Sequence, residues 1–258
     1  MFDETAVVPR PYSRLLVIPI FFFLLITKQN KTKIFKPKKG QKLPKISFCP
    51  SFLPKEKFMK ESITYQPYFN NHPINTNENK GLGCYEKALE KIESSFDSML
   101  DKHSKIMIIR FDVRYPQNEN IVCRKSQVSD FTYNLKRSLN REKIGGGHRV
   151  DAKIIHVQEQ DRSQNPHHHF AVVVNANAKN KYFPVLLKAE TLWKNTLNTN
   201  QSGLVAYCNS KQNGIIIDQS KDDFQDKYNE VFYQVSYLAK VRGKENRKKG
   251  SWLIKASR

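Results

Sequence analysis

Residues 165–178 read NPHHHFAVVVNANA, three consecutive histidines running straight into an apolar stretch. The segment from His169 to Val174 is built of strand formers and closes on Asn175, so it predicts a β-strand. Side chains alternate along a strand, which puts His167 and His169 on one face and His168 on the other. Two imidazoles so spaced can converge on one metal ion. They can equally be solvated histidines at the mouth of a strand, and the pair alone leaves both readings open.

The elements around this strand restrict the fold. YEKALEKIESSFDSMLDKH, from Tyr85, carries Ala88, Leu89, Ile92, Phe96, Met99 and Leu100 at the spacing of an amphipathic helix. KIMIIRFDVRYP follows as a strand ended by Pro116, and VSDFTYNLKRSLNRE as a second helix with Ser129 or Asp130 near its N-cap. VDAKIIHVQEQ is a second strand, and the short polar loop DRSQNP joins it to the histidine strand as an antiparallel hairpin. A helix around VLLKAETLWKNTL, a short strand GIIID and a last helix, DDFQDKYNEVFYQVSYLAK, complete the series. The order α-β-α-β-β-α-β-α predicts an α+β domain: a mainly antiparallel central sheet with helices on one face.

Charge points to the partner. The 258 residues carry a formal net charge of +20, for which an anion, most commonly nucleic acid, is the expected partner. Lys28 to Lys60 holds eleven lysines against the single acid Glu56, and more of the excess lies in the terminal KVRGKENRKKGSWLIKASR. Cys49, Cys84, Cys123 and Cys208 are spread singly without a CxxC pair, which argues against a zinc ribbon or disulfide framework and suits a reducing compartment, here the cytoplasm. No GxxxxGK[ST] sequence occurs, so no nucleotide site is expected, and the glycines from Gly145 to Gly147 read as a flexible connection.

The apolar run Leu15–Ile26 is twelve residues long and interrupted by Pro19, short of the roughly 20 that a spanning helix needs. No small-residue cleavage site follows it. Residues 1–83 are therefore expected to be a basic, poorly structured extension, with Met59 as an alternative start, and residues 84–258 a folded domain. No membrane partner is expected.

The last helix bears on the histidines. It contains Tyr233, Tyr237 and Lys240, at i, i+4 and i+7, on one helix face. The tyrosines can be core-facing aromatics. Yet an HxH sequence upstream and a YxxK sequence downstream together resemble the HUH endonucleases, the rolling-circle initiators and relaxases. In that family two histidines hold a divalent metal and the tyrosine attacks DNA. His167-His168-His169 departs from the family pattern only in its middle residue, whose side chain points to the other sheet face; Tyr237-Leu238-Ala239-Lys240 fits YxxK. More closely, RFDVRYP, HVQEQ, HHHFAVVVN, the helix bearing Trp193 and SYLAK, in this order, resemble the prophage YagK/YfjJ C-terminal-domain family, which is grouped with inovirus replication proteins. The resemblance covers roughly residues 84–258 and implies an HUH/RRM-like, ferredoxin-like arrangement.

It also implies a chemistry. Tyrosine attack on a phosphodiester needs the phosphate charge neutralised, which Mg²⁺ or Mn²⁺ held by His167 and His169 would do. A third ligand is expected. Glu159, on the neighbouring strand, is the first candidate, and His156 and Gln158, on the opposite face, are fallbacks. Asp112 either orients a histidine N–H or pairs with Arg110 or Arg114. A free phenol ionises near pH 10, so Tyr237 needs a cation, and Lys240 is at hand; Tyr233 is a possible second nucleophile. Arg110, Arg114, Lys244, Arg247, Lys248 and Lys249 are the candidate DNA contacts. The expected activity is a rolling-circle replication initiator that nicks single-stranded or hairpin origin DNA through a 5′-phosphotyrosyl intermediate and works with a separate host helicase. The alternative is a non-cleaving prophage DNA-binding protein on the same scaffold.

Overall fold

The computed structural model describes residues 61–77, 80–117, 123–142, 147–160, 165–208, 213–245 and 252–257. The chain divides into Met1–Glu56 and Lys57–Arg258, and only the second unit contains described residues. The apolar run at Leu15, the lysine tract and Met59 lie outside them, as do Arg247, Lys248 and Lys249.

Four short strands open the domain: β1 (Ile63–Thr64), β2 (Tyr68–Phe69), β3 (His72–Pro73) and β4 (Cys84–Tyr85). Then follow α1 (Glu86–Leu100), β5 (Lys105–Val113), α2 (Lys125–Asn140), β6 (Lys153–Glu159) and β7 (His167–Asn175). The series ends with α3 (Phe183–Leu197), β8 (Val205–Tyr207), β9 (Ile215–Asp218), α4 (Phe224–Ser236), a 3-10 turn (Tyr237–Ala239) and β10 (Lys255–Ala256). The fold is α+β with a six-stranded antiparallel sheet in the order β10-β6-β7-β5-β8, β9 pairing with β5 beside β8.

Three expectations need correction. Helices cover both faces of the sheet, not one. On β7, Ala171 and Val173 face a core shared with α1 and α4, while Phe170, Val172 and Val174 face a second core shared with α2 and α3. The cause lies in the strands: β5 and β7 are apolar on both faces, and an uninterrupted apolar strand must be covered twice. Secondly, α2 begins at Lys125, ahead of Ser129 and Asp130, and its first turn is closed by the Gln127 side chain accepting the Arg124 N–H (2.8 Å). Thirdly, the folded domain starts before Cys84. β1 pairs with β4, Ile74 is buried in the α1/α4 core, and His72 packs on Tyr228 and Phe232. Among the described residues no helix is long and apolar enough to cross a membrane.

Candidate active site

Register fixes the site. In the β6–β7 hairpin Glu159 stands opposite His167 and Val157 opposite His169; across β5–β7, Asp112 stands opposite His169. Alternation then sends Glu159, His167, His169, Asp112 and Arg110 to the α1/α4 face, and His168, His156 and Gln158 to the other. The fallback ligands His156 and Gln158 are thereby turned away from the pair.

The donor atoms of Glu159, His167 and His169 lie within 4.8 Å of one another. Glu159 Oε2 is 2.9 Å from His169 Nε2 and 3.6 Å from His167 Nε2. Donors sharing one octahedral ion at about 2.1 Å stand about 3 Å apart, so these separations suit a common divalent ion. His169 Nδ1 is 2.6 Å from Asp112 Oδ1, close enough for an Nδ1–H to donate to that carboxylate, and this contact turns Nε2 toward Glu159. His169 Nε2 is buried and, despite its nearness to Oε2, lies outside hydrogen-bond geometry. An imidazole nitrogen and a carboxylate oxygen buried this close can share a cation. The buried Glu-His-His triad can therefore hold a divalent metal.

The charge balance follows from burial. Burial pushes the Glu159 carboxyl up, but contacts from His167 and His169 and the charge of Lys244 outweigh it and hold the group well below the usual carboxylate range. Burial likewise pushes His169 down, and Asp112 and Glu159 together overcome it and raise the imidazole.

The end of α4 brings Tyr237 and Lys240 to the triad. Past Ser236 the helix tightens into the 3-10 turn, and Lys240 then pairs with Cys84 while the Val241 N–H donates to the Gly83 carbonyl (2.8 Å). Tyr237 lies edge-on to His169, with ring centroids 5.8 Å apart. The Lys240 ammonium donates to the Tyr237 hydroxyl and stands 3.1 Å from Glu159 Oε2. The Arg110 guanidinium lies over the Tyr237 ring at 5.6 Å and donates to the Gln234 carbonyl. His167, His169, Glu159, Asp112, Tyr237, Lys240 and Arg110 thus gather in one place.

Tyr233 and Arg114 do not join them. Tyr233 is 40% exposed and lines a shallow cleft with Pro73, Asp226, Asn229, Glu230 and Gln234. Arg114 is exposed at the end of β5.

Lys244 requires a correction. It was expected on the DNA-binding surface, yet its side chain is fully buried, with Nζ 2.8 Å from both Glu159 Oε1 and the Lys240 carbonyl. Burial pulls its ammonium below the ordinary lysine value, against the pull of Glu159. A turn at Gly243 causes this. Its φ of +81° is a conformation that suits glycine, and its carbonyl accepts the Gln160 N–H, folding the chain back onto the end of β6. The glycine ahead of Lys244 was the available sequence signal, hidden among the other basic residues of the tail.

Fold and site together define a class: an α+β domain with an internal carboxylate–imidazole metal-type centre beside a lysine-contacted tyrosine. The model of the YagK/YfjJ C-terminal domain matches residues 64–251, and the chain belongs to that family. Comparison with curated proteins gives no match, and neither does comparison with solved structures.

Proposed function

We propose that this domain is a metal-dependent DNA nickase and strand transferase of the HUH, rolling-circle type, acting on single-stranded or hairpin origin DNA. The observation that carries the reading is the Tyr237 hydroxyl held by Lys240, whose ammonium also touches the carboxylate of the Glu159-His167-His169 triad. A divalent ion held by that triad supplies Lewis-acid neutralisation of the scissile phosphate.

The chain's own groups do the rest. Lys240 donates to the phenol oxygen and sets a positive charge beside the attacking atom. Tyr237 attacks phosphorus, one O–P bond forms, the bond to the 3′ oxygen breaks, and the phenol proton is balanced by the proton taken up by the 3′-hydroxyl. Asp112 holds His169 in the tautomer that presents Nε2. The 5′-phosphotyrosyl product keeps the strand's energy for religation. A separate helicase would open the duplex.

The test is direct. Incubated with single-stranded or supercoiled origin DNA and Mn²⁺, the protein should yield a covalent adduct that EDTA prevents and Tyr237→Phe abolishes while still binding DNA. DNA binding without an adduct on any such substrate would favour a non-cleaving DNA-binding protein instead.

A further inference from the structure

Helix α1 separates its charges into two rows. Glu86, Glu90, Glu93 and Asp97 recur at i, i+4, i+7 and i+11, and Lys87, Lys91 and Ser98 occupy a parallel row about 100° round the helix, with Lys102 just past its last residue, Leu100. Two acids of that row are tied into the fold: Glu93 accepts from Asn70 (2.8 Å) and faces His72 (3.8 Å), and Asp97 accepts from the Tyr228 hydroxyl (2.8 Å). The other row turns toward the start of β6, where the Lys153 ammonium donates to Ser98 Oγ. Lys87, Lys91 and Lys102 are exposed.

The placement of this row matters more than its charge. α1 starts two residues after Cys84, the residue that pairs with Lys240, so Lys87 lies at the end of the helix next to the candidate active site. Lys102 lies fifteen residues on, about 22 Å along the axis. β6 repeats the layout: Glu159 at one end is in the site, and Lys153 at the other, on the same sheet face, lies about 20 Å away.

Lys136 of α2 joins the far end. Burial lowers the Lys153 ammonium's pKa, and Lys102, Lys91 and Lys136 lower it further; burial also lowers Lys136, with Lys102 adding to it and Asp151 opposing. Asp151 is itself engaged by His103 at 3.2 Å. An anionic ligand lying along the exposed row would meet these ammonium groups in turn.

We propose that Lys87, Lys91, Lys102, Lys153 and Lys136 form a track that carries the phosphate backbone of the DNA leading away from the scissile bond. The assignment rests on the nuclease reading for its direction only. At 3.4 Å per base pair the track spans about six base pairs of a duplex arm. A single-stranded arm presents the same phosphates.

Fluorescence-anisotropy binding with nested oligonucleotides, carrying either a single-stranded or a duplex arm of increasing length, tests the track. Wild-type affinity should rise with arm length and level off once about 20 Å is covered. Lys87→Ala/Lys91→Ala/Lys102→Ala should lose that gain, weakening long-arm binding at least about tenfold and reducing the slope of log K against log salt by about 2 to 3. A control lacking Lys181, Lys188 and Lys221 removes the same charge elsewhere, and its slope should change by less than half as much. Equal losses in the two variants, or none in the first, would overturn the track. So would selective loss of binding to anionic phosphatidylserine vesicles with DNA binding intact. An unchanged melting temperature excludes misfolding. Adduct formation by the wild type is scored separately, so its absence would count against the nuclease reading and leave the arm-length result standing.

Discussion

The two faces of β7 treat the same side chain in opposite ways. His169 and His168 are adjacent, and both are almost completely buried. On one face His169 meets two carboxylates, Asp112 and Glu159, which overcome burial and raise its pKa. On the other, His168 lies against Tyr115 and His156, burial dominates, and its pKa falls to about 3. His156 behaves like His168 and is likewise pushed by burial to about 3. A histidine row is thus no site in itself. The carboxylates that strand register sets opposite the odd-numbered residues make one.

The largest effect should fall on one face only. His167→Ala and His169→Ala should each weaken Mn²⁺ binding by at least about a hundredfold, measured by calorimetry, because each would remove one of the three candidate ligands, where even outer partners count for about 10–100-fold. Adduct formation should disappear with it. His168→Ala should leave Mn²⁺ affinity within about threefold and appear instead in the denaturation midpoint, at roughly 1–3 kcal/mol. Loss of metal binding in His168→Ala at unchanged stability would break the comparison.

Lys244 sharpens it further, because it explains how the charged face tolerates burial. Both oxygens of Glu159 face cations, Oε1 toward Lys244 and Oε2 toward Lys240. Lys244→Met leaves a buried carboxylate short of one partner, for which about 3–5 kcal/mol is expected in urea denaturation of the metal-free protein. Adding Glu159→Gln should recover part of that loss, since the uncompensated charge goes with it. If the double variant is as unstable as Lys244→Met alone, Lys244 acts by packing and not through Glu159.

How much of this could be read from the sequence depended on the range of the interaction. Alternation along β7 is local, and with Glu159 placed on the neighbouring hairpin strand it gave the shared face of Glu159, His167 and His169. The helix spacing of α1 was legible for the same reason, whereas α4 stops at Ser236, short of the Tyr237 and Lys240 that the sequence spacing set on one helix face with Tyr233. The short strands β1 to β4, β8 and β10 carry two or three residues each, too few for any period to register. The second helical layer was missed because its signal is an absence of alternation: IMIIRF and FAVVVN are apolar on both faces. Lys244 was misread as surface charge since composition alone makes a lysine exposed, and only the turn at Gly243 returns it to Glu159.

The smallest effect is expected at Tyr233, which the helix spacing placed beside Tyr237. Its phenol is exposed in a cleft that also contains Asp226 and Glu230, and two carboxylates repel an incoming phosphate. Tyr237 sits against His169 and Lys240 instead. Removing a solvated hydroxyl should cost no more than about 0.5 kcal/mol, and Tyr233→Phe should change adduct yield by less than about twofold. Peptide mapping of trapped adducts decides between one nucleophile and two. Label recovered at Tyr233 in Tyr237→Phe would mean that the acidic cleft opens to DNA and that both tyrosines react. Complete loss of label in that variant, with DNA binding retained, leaves Tyr237 alone, because only its oxygen is held by the lysine that also touches the metal-type triad.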